Sequence, residues 1–441
     1  MKNTFTLTSV FTTKRFLFLF AFVALLLCNS ATWAAIGGTY SASGTVLTIS
    51  IDVASTVTVK ANGTGGVTNN YTFISSDGDW SGSAPGVSSV AKTLTVTGLA
   101  TYNTINIVDG AAGVNVAFDN STTSYTYDNN FNITLDAGAG AVTFNNTCFS
   151  SSNFLSVITD RNIVVNGGTT LTTVNGDLTL SANMQATQNV NNFNGINIGT
   201  ASQVSKTYVQ STGTGNVDIT GRGGASASNA NYGVTVMGTA SNNTTIASGG
   251  DWVIVTGTGG GTGISTNNDG VYTNYASITS GVYGNVIVSG TGGGSTTGSS
   301  GAYFGYTSVS SGGSGSVTVT GTATGGSVSG VGYGVAVVGL SHITSGGSGD
   351  VYVTGEASTA CISVPNFGVY IYGQSTTDTS SISSGGGDVT VTGTGGGSGA
   401  TSIFNTGVMV GQYTTTTAGV IKSGGNGSVT VTGTGGNAGG G

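Results

Sequence analysis

Apolar and polar residues alternate in seven short phrases of the chain, and the phrases recur at nearly constant spacing. Each phrase has two Val or Ile flanking one variable residue, followed by Thr or Ser and then Gly. The phrases are NVDITG (216–221), VIVTG (253–257), NVIVSG (285–290), SVTVTG (316–321), DVYVTG (350–355), DVTVTG (388–393) and SVTVTG (428–433). Alternation with a period of two predicts β-strands that have one buried face. Spacings of 31 to 40 residues between the closing glycines predict an array of units that stack on one another.

Two further strand-like pieces follow each phrase. The second pieces are GVTVMG (233–238), GVYTN (270–274), GAYFG (301–305), GVAVVG (334–339), GVYIYG (368–373) and GVMVG (407–411). The third pieces centre on Ile246, Ile278, Val309, Ile343, Ile382 and Ile421, and a Ser-Gly-Gly type corner follows most of them. The period of two points the Val and Ile pairs of the first strands inward, and it points the middle residue and the Thr or Ser outward. If the copies stack in register, the apolar columns form one continuous core.

Three strands per roughly 35-residue turn, joined by Gly-rich corners, predict an all-β fold of the right-handed parallel β-helix type. Glycine suits such corners because the chain turns sharply there and passes close to the next turn. A seven-bladed propeller is the alternative fold, although a blade needs four strands.

The chain divides into three parts by pattern. Residues 1–34 predict a secretory signal peptide, with a basic start, an apolar run over 16–27 and a Thr-Trp-Ala cleavage site at 32–34. Residues 35–200 predict an irregular, β-rich beginning or cap of the solenoid, and residues 201–441 hold the seven copies. Because the last copy stops in mid-repeat, we expect the chain to be a fragment, with any anchor beyond Gly441.

Composition narrows the possible partners. The chain has 79 Gly, 2 Pro and 6% charged residues, and 37% of it is hydrophobic, which argues against disorder. Without the signal peptide, six Lys or Arg remain against 16 Asp or Glu, a formal charge of −10. This acidic balance disfavours nucleic acid and anionic membranes as partners, and no apolar run after the signal is long enough to span a membrane. We expect Cys148 and Cys361 to be small buried residues and not a disulfide.

Candidate catalytic chemistry is sparse, and we predict a protein that is not an enzyme. His342 is the single histidine, and a corner role explains it more simply than catalysis, which needs an orienting partner. A polysaccharide-acting β-helix enzyme is a further alternative. It would need acidic and basic residues clustered on one face, but the repeats hold only three basic residues, and Glu356 is the sole glutamate.

Two sets of residues are candidates for binding. Asp350 and Asp388 open their phrases after Gly-rich corners, one turn apart, so a Ca²⁺ ion could bridge them. Asn or Ser fills the same position in other copies, and capping of the corner backbone explains all three residue types equally. Outward tyrosines of the second strands are candidates for contact with a ligand such as a sugar. These tyrosines are Tyr272, Tyr303 and Tyr370. No other cofactor is predicted.

The signal peptide, the VTVTG-type turns and the acidic, Cys-poor composition resemble the passenger regions of bacterial surface β-helix proteins. The filamentous-haemagglutinin-like and autotransporter adhesins are the type that the chain resembles, over roughly 35–441. The resemblance implies a secreted or surface-displayed protein, associated with the outer membrane. It also implies a non-catalytic β-helix that presents variable loops to cell-surface glycans or proteins. A purely structural spacer or a surface-layer component is the alternative function.

Overall fold

The computed structural model describes residues 36–64, 67–121, 125–146, 148–151, 154–294, 298–325, 331–360, 365–373, 379–397, 405–411 and 418–436. These residues form β-strands, corners and loops, with one short 3₁₀ turn at Leu99–Thr101. The strands belong to three long sheets that run side by side along the molecule.

The first sheet contains the strands of the seven phrases, together with strands from the amino-terminal part. Its strands are β1 (Ile36–Ser43), β2 (Val46–Ile51), β5 (Asp79–Ser83), β8 (Thr104–Asp109), β10 (Asn130–Leu135), β13 (Leu155–Thr159), β16 (Leu178–Ala182), β19 (Val217–Arg222), β22 (Val253–Thr258), β25 (Val286–Thr291), β28 (Val317–Thr322), β31 (Val351–Glu356), β34 (Val389–Thr394) and β37 (Val429–Thr434).

The second sheet contains the second strand of each turn. Its strands are β3 (Thr56–Thr64), β4 (Val67–Ser75), β6 (Val87–Val90), β7 (Thr93–Val96), β9 (Asn115–Asp119), β11 (Ala141–Asn145), β14 (Asn162–Val165), β17 (Ile196–Ile198), β20 (Val234–Met237), β23 (Val271–Asn274), β26 (Ala302–Gly305), β29 (Val335–Val338), β32 (Asn366–Tyr372) and β35 (Asn405–Val410).

The third sheet is shorter and contains the third strand of each turn. Its strands are β12 (Cys148–Ser151), β15 (Thr170–Thr173), β18 (Thr207–Ser211), β21 (Thr244–Ser248), β24 (Ala276–Ser280), β27 (Ser308–Ser311), β30 (His342–Ser345), β33 (Ser380–Ser384) and β36 (Gly419–Ser423).

Corresponding strands of successive turns pair in parallel and in register, so the fold is a parallel β-helix, as predicted. Val253 pairs with Val286, and Val286 pairs with Val317. The propeller alternative is excluded, since a blade would pair the strands within one repeat and not between repeats. The predicted faces are also confirmed, because the inward Val and Ile of the first strands from Val217 to Val391 are buried. Stacking therefore builds the core, as expected for a solenoid.

The parallel stack extends well into the irregular amino-terminal part. Strand β2 pairs in parallel with β8, β8 with β10 and β10 with β13, so residue 200 marks a change in sequence regularity and not in fold. The start of the stack is covered by antiparallel pairs, β1 with β2, β3 with β4 and β7 with both β4 and β6. Tyr71 of β4 and Trp80 of β5 are buried within this cap. The cap leaves the first turns without an open apolar end.

The last described turn has no such cover. Val429 and Val431 of β37 are 44% and 48% exposed, whereas their partners Val389 and Val391 in β34 are fully buried.

In six of the seven phrases, the closing glycine is required by a close approach between the first and second sheets. A Cβ atom placed on Gly321 would lie 2.0 Å from the carbonyl oxygen of Gly334, and one on Gly355 would lie equally close to that of Gly368. Side chains do not tolerate such a distance from backbone, so this position accepts only glycine without a shift of the chain.

The serine that ends a third strand caps a glycine-rich corner, which is either the corner that follows it or the corresponding corner of the preceding turn. Ser248 donates its hydroxyl to the carbonyl oxygen of Gly215 at 3.0 Å, and the Ser345 hydroxyl donates to that of Gly349. Both serines are buried. The sequence pattern showed these serines but did not reveal that each one satisfies a backbone carbonyl at the turn.

Candidate functional site

The residue that opens each phrase stands at the corner between the third and first sheets, and where it is Asn, Asp or Ser its side chain bonds the next described turn. The Asn285 amide oxygen accepts from the backbone N–H of Ser316 at 2.7 Å. The Asp388 N–H donates to Asp350 Oδ1 at 2.8 Å, and the Ser428 N–H donates to Asp388 Oδ1 at 2.7 Å. Short polar side chains therefore cap the backbone of the following turn, and we name this column the corner ladder. In full it comprises Asp177, Asn216, Trp252, Asn285, Ser316, Asp350, Asp388 and Ser428.

The two calcium candidates are part of the corner ladder. Asp350 and Asp388 lie one turn apart at the same corner, because Val351 pairs with Val389. Asp350 Oδ2 accepts from the Tyr352 hydroxyl at 2.9 Å, so both of its oxygens have protein donors. The N–H and hydroxyl of Ser428 hold the pKa of Asp388 below its usual value. These bonds are the capping interactions that the sequence offered as the alternative to calcium, and calcium binding stays a prediction.

No group of three or more His, Cys, Asp or Glu side chains is placed to hold a metal ion within the described ranges. Asp350 and Asp388 therefore form a pair without a third acidic ligand there.

The three candidate tyrosines point outward from the second sheet, but they do not form one row. Tyr272 and Tyr303 pair across neighbouring strands, with ring centroids 5.2 Å apart and planes within 9°. Tyr370 lies two turns further on, because Ala336 fills the position between. It packs against Tyr333 and is only 7% exposed.

Ring stacking changes what these tyrosines can offer to a ligand. Tyr272 stacks against Tyr303 on one side and packs at 5.2 Å against Tyr232 on the other, so its two faces are covered. Its hydroxyl edge remains, and burial raises the pKa of Tyr272. Stacking of a sugar on a ring face would need that face to be free, so contact at these tyrosines would involve edges and hydroxyls.

Asp269 is a titratable residue that the sequence reasoning missed. It lies two residues before the start of β23, is buried, and accepts from the Ser300 N–H at 2.6 Å through Oδ1. Burial raises the pKa of this carboxyl to about 7. Comparison of equivalent positions could have found it. Tyr232 and Ser300 occupy the same position in the neighbouring turns, and neither residue carries a charge.

His342 lies on the outer face of the third sheet and is half-buried. Its Nδ1 is 2.9 Å from the hydroxyl oxygen of Ser381, its partner on the neighbouring strand. Burial, and then the charge of Lys422, lower the pKa of the imidazole. No acidic side chain bonds the ring within the described residues, so the pair lacks the orienting group of a catalytic triad. That the protein is not an enzyme stays a prediction.

The loops between the first and second sheets are themselves partly stacked. Asn268 Oδ1 accepts from the Asn231 N–H at 3.0 Å, and the Ser299 hydroxyl oxygen accepts from the Asn268 N–H at 3.1 Å. All three residues are fully buried. The base of each of these loops therefore belongs to the scaffold, and variation is left to the rest of the loop.

Cys148 begins β12, whereas Cys361 lies outside the described residues, so the prediction of two unlinked cysteines stays a prediction. The predicted signal peptide also lies outside them. The described part of the chain contains no helix that is long and apolar enough to cross a membrane.

Comparison of the chain with protein-family models, with curated proteins and with solved structures gave no match.

Proposed function

We propose that this protein is a secreted or surface-displayed, adhesin-like scaffold that presents variable connections on a non-catalytic β-helix. The observation that carries the proposal is the contrast between columns and connections. Every inward column supplies core, and the corners supply caps and close backbone contacts, so these positions are occupied by structural roles. Recognition is left to the connections and to outward residues.

Two kinds of connection between the sheets differ in how much their lengths vary. From the third sheet to the next first sheet, the lengths agree to within a residue from β15 onward, as between Ser345 and Val351 or between Ser384 and Val389. From the second to the third sheet they range from a single residue, Tyr275, to the six residues 238–243 and longer. Insertions that leave the stack unchanged are typical of surface positions that recognise partners.

The proposed partners are glycans or proteins of a cell surface, and not nucleic acid. The formal charge of the chain is already −7 with its basic leader included, which opposes binding to phosphate backbones. A rigid stack with about 4.8 Å between turns would repeat binding elements at fixed intervals, which favours multivalent attachment.

The test is attachment of the full chain, without the predicted signal peptide, to a glycan array and to intact cells. In matched variants, each long connection is shortened to the length found in a neighbouring turn. Replacement of residues 238–243 by one glycine is an example, since Tyr275 alone makes this connection in the next turn. Circular dichroism checks that the β-helix is retained.

We expect attachment that falls in at least one shortened variant. Attachment that stays constant in all of them would favour the structural spacer. Absence of binding to both glycans and cells would overturn the adhesin proposal.

A further inference from the structure

Trp252 interrupts the corner ladder at a position where the other six phrases have Asn, Asp or Ser. An indole cannot accept a hydrogen bond, so Trp252 cannot cap the Asn285 backbone N–H in the way that Asn216 Oδ1 caps the Trp252 N–H at 3.2 Å. The ring is also 41% exposed. The scaffold thus loses a bond and exposes an apolar ring at this corner, and the fold supplies no reason for either.

The ring stands beside an open depression of 400 Å³ on the outer face of the first sheet. The depression spans three turns, because Asp218 pairs with Thr179 on one side and Ile254 on the other. Its remaining polar lining comes from Asp177, Asn216 and Asp251. An aromatic wall above a floor of acceptors has the lining that small-molecule sites use for orientation.

The three carboxylates of the depression each use one oxygen within the protein. Asp177 Oδ1 accepts from the Asn216 N–H at 2.8 Å, Asp218 Oδ1 from the Thr220 hydroxyl at 3.1 Å, and Asp251 Oδ1 from the Trp252 N–H at 3.0 Å. The single ion pair of the described residues, Lys92 with Asp77, lies elsewhere. The site thus offers carboxylate acceptors without a counter-charge.

We propose that the depression beside Trp252 binds a sugar residue that carries a protonated amine. The sugar ring packs on the indole face, its hydroxyls and amine donate to the three carboxylates, and the ammonium supplies the missing positive charge. Acidic sugars are rejected by the same carboxylates. This inference rests on the proposed function, since it places one glycan site on the presented surface.

The test is a titration of the full chain, without the predicted signal peptide, followed by tryptophan fluorescence. Two tryptophans remain, and Trp80 is buried at 5% exposure in the cap, so a change in emission reports on Trp252. The probes are a glucosamine tetramer, its fully N-acetylated counterpart and a galacturonic acid tetramer. We expect the amine form to bind about tenfold more tightly than the neutral form, and the acidic form not to bind.

Trp252→Asn is the decisive variant because it restores the residue type that the ladder has at Asn216 and Asn285. We expect it to fold and to lose binding, which isothermal calorimetry can follow after the fluorophore is gone. Asp218→Asn should remove most of the preference for the amine, since within the described residues the carboxylate accepts from the Thr220 hydroxyl and has no cationic partner. Tyr352→Ala is the matched control, as this tyrosine is equally exposed on the same sheet but bonds Asp350.

Several outcomes would overturn the site. They are unchanged binding in Trp252→Asn, an equal loss in Tyr352→Ala, equal affinity for all three tetramers, and absence of binding to the amine tetramer. Cell attachment that persists in Trp252→Asn without tetramer binding refutes the site and leaves the proposed function standing. Tetramer binding without any attachment of the chain to cells or glycan arrays refutes the proposed function alone.

Discussion

Asp269 makes the stability of the β-helix depend on pH in a direction opposite to that of most acidic residues. Its carboxyl is buried without a cation, and burial raises its pKa from 3.8 to about 7. Because the pKa is raised in the folded state, the contribution of the neutral carboxyl to the free energy of unfolding is fully present below about pH 4. This contribution is lost as the pH rises through about 7. The charged form then stays buried at higher pH, close to the rings of Tyr232 and Tyr272.

The perturbation is Asp269→Asn, which keeps an oxygen for the Ser300 N–H and removes the titration. A shift of about three pKa units corresponds to about 4 kcal/mol, since one unit is about 1.4 kcal/mol. We therefore expect the variant to gain up to about 4 kcal/mol over the parent chain at pH 8 and almost nothing at pH 4.

The assay is urea unfolding followed by circular dichroism at several pH values between 4 and 8. Asp388→Asn serves as the control, because this carboxyl is exposed, its pKa is lowered, and its loss should bring no gain at high pH. If the curves of parent and Asp269→Asn run parallel over this range, the buried carboxyl does not titrate as argued. A variant less stable than the parent at pH 8 would refute the reasoning equally.

Three smaller perturbations test the scaffold. Gly355→Ala should destabilise the chain by about 3 kcal/mol or more in thermal unfolding, because the added Cβ would meet a backbone oxygen. Gly386→Ala is the control and should be tolerated, since no atom lies nearer than 3.5 Å to its Cβ. Val391→Ala in the buried core should lower the free energy of unfolding by about 2 kcal/mol. Val431→Ala in the half-exposed last turn should lower it by well under half of that amount, and equal losses in the two variants would contradict the stacking argument. Ser345→Ala should lower the free energy of unfolding by about 1 to 3 kcal/mol, because the buried Gly349 carbonyl loses the hydroxyl that donates to it. Ser345→Thr keeps the hydroxyl and should recover part of this loss.

The repeated part of the fold was predictable because the same residue types recur at equivalent positions of several turns. Alternation fixed the face of Val317 and Val319, and recurrence in six other phrases fixed their neighbours above and below. A slip of one residue would expose the whole apolar column, so register followed from the same pattern. The stacking of turns followed from periodicity alone.

The cap was harder to predict in physical terms. The runs that became β3 and β4 alternate like those of the repeats, yet they pair antiparallel to each other. Alternation gives the buried face of a strand and says nothing of the direction of its partner, which depends on contacts between distant parts of the chain. Trp80 and Tyr71 show by their burial where this cover lies, but no local signal marks them.

Candidate site residues were predictable in direction but not in environment. The period of two placed Tyr272 and Tyr303 outward, which the structure bears out. It could not show that each ring covers a face of the other, because this depends on the side-chain rotamers of neighbouring turns. Asp269 was missed for a similar reason, since its burial results from the way loops fold over the second sheet.

A stack of similar turns offers its own internal comparison of residues. Equivalent positions of successive turns have nearly the same backbone and neighbours. A residue whose type differs from the others at its position therefore differs from the type that stabilises the stack. Trp252 among short polar caps and Asp269 among uncharged residues are departures of this kind, and each weakens the stack on physical grounds. Selection retains a destabilising residue more readily where it serves function. If Trp252→Asn raises the unfolding midpoint while tetramer binding is lost, the departure is functional. A variant less stable than the parent would instead give the indole a structural role and remove the basis for interpreting departures this way.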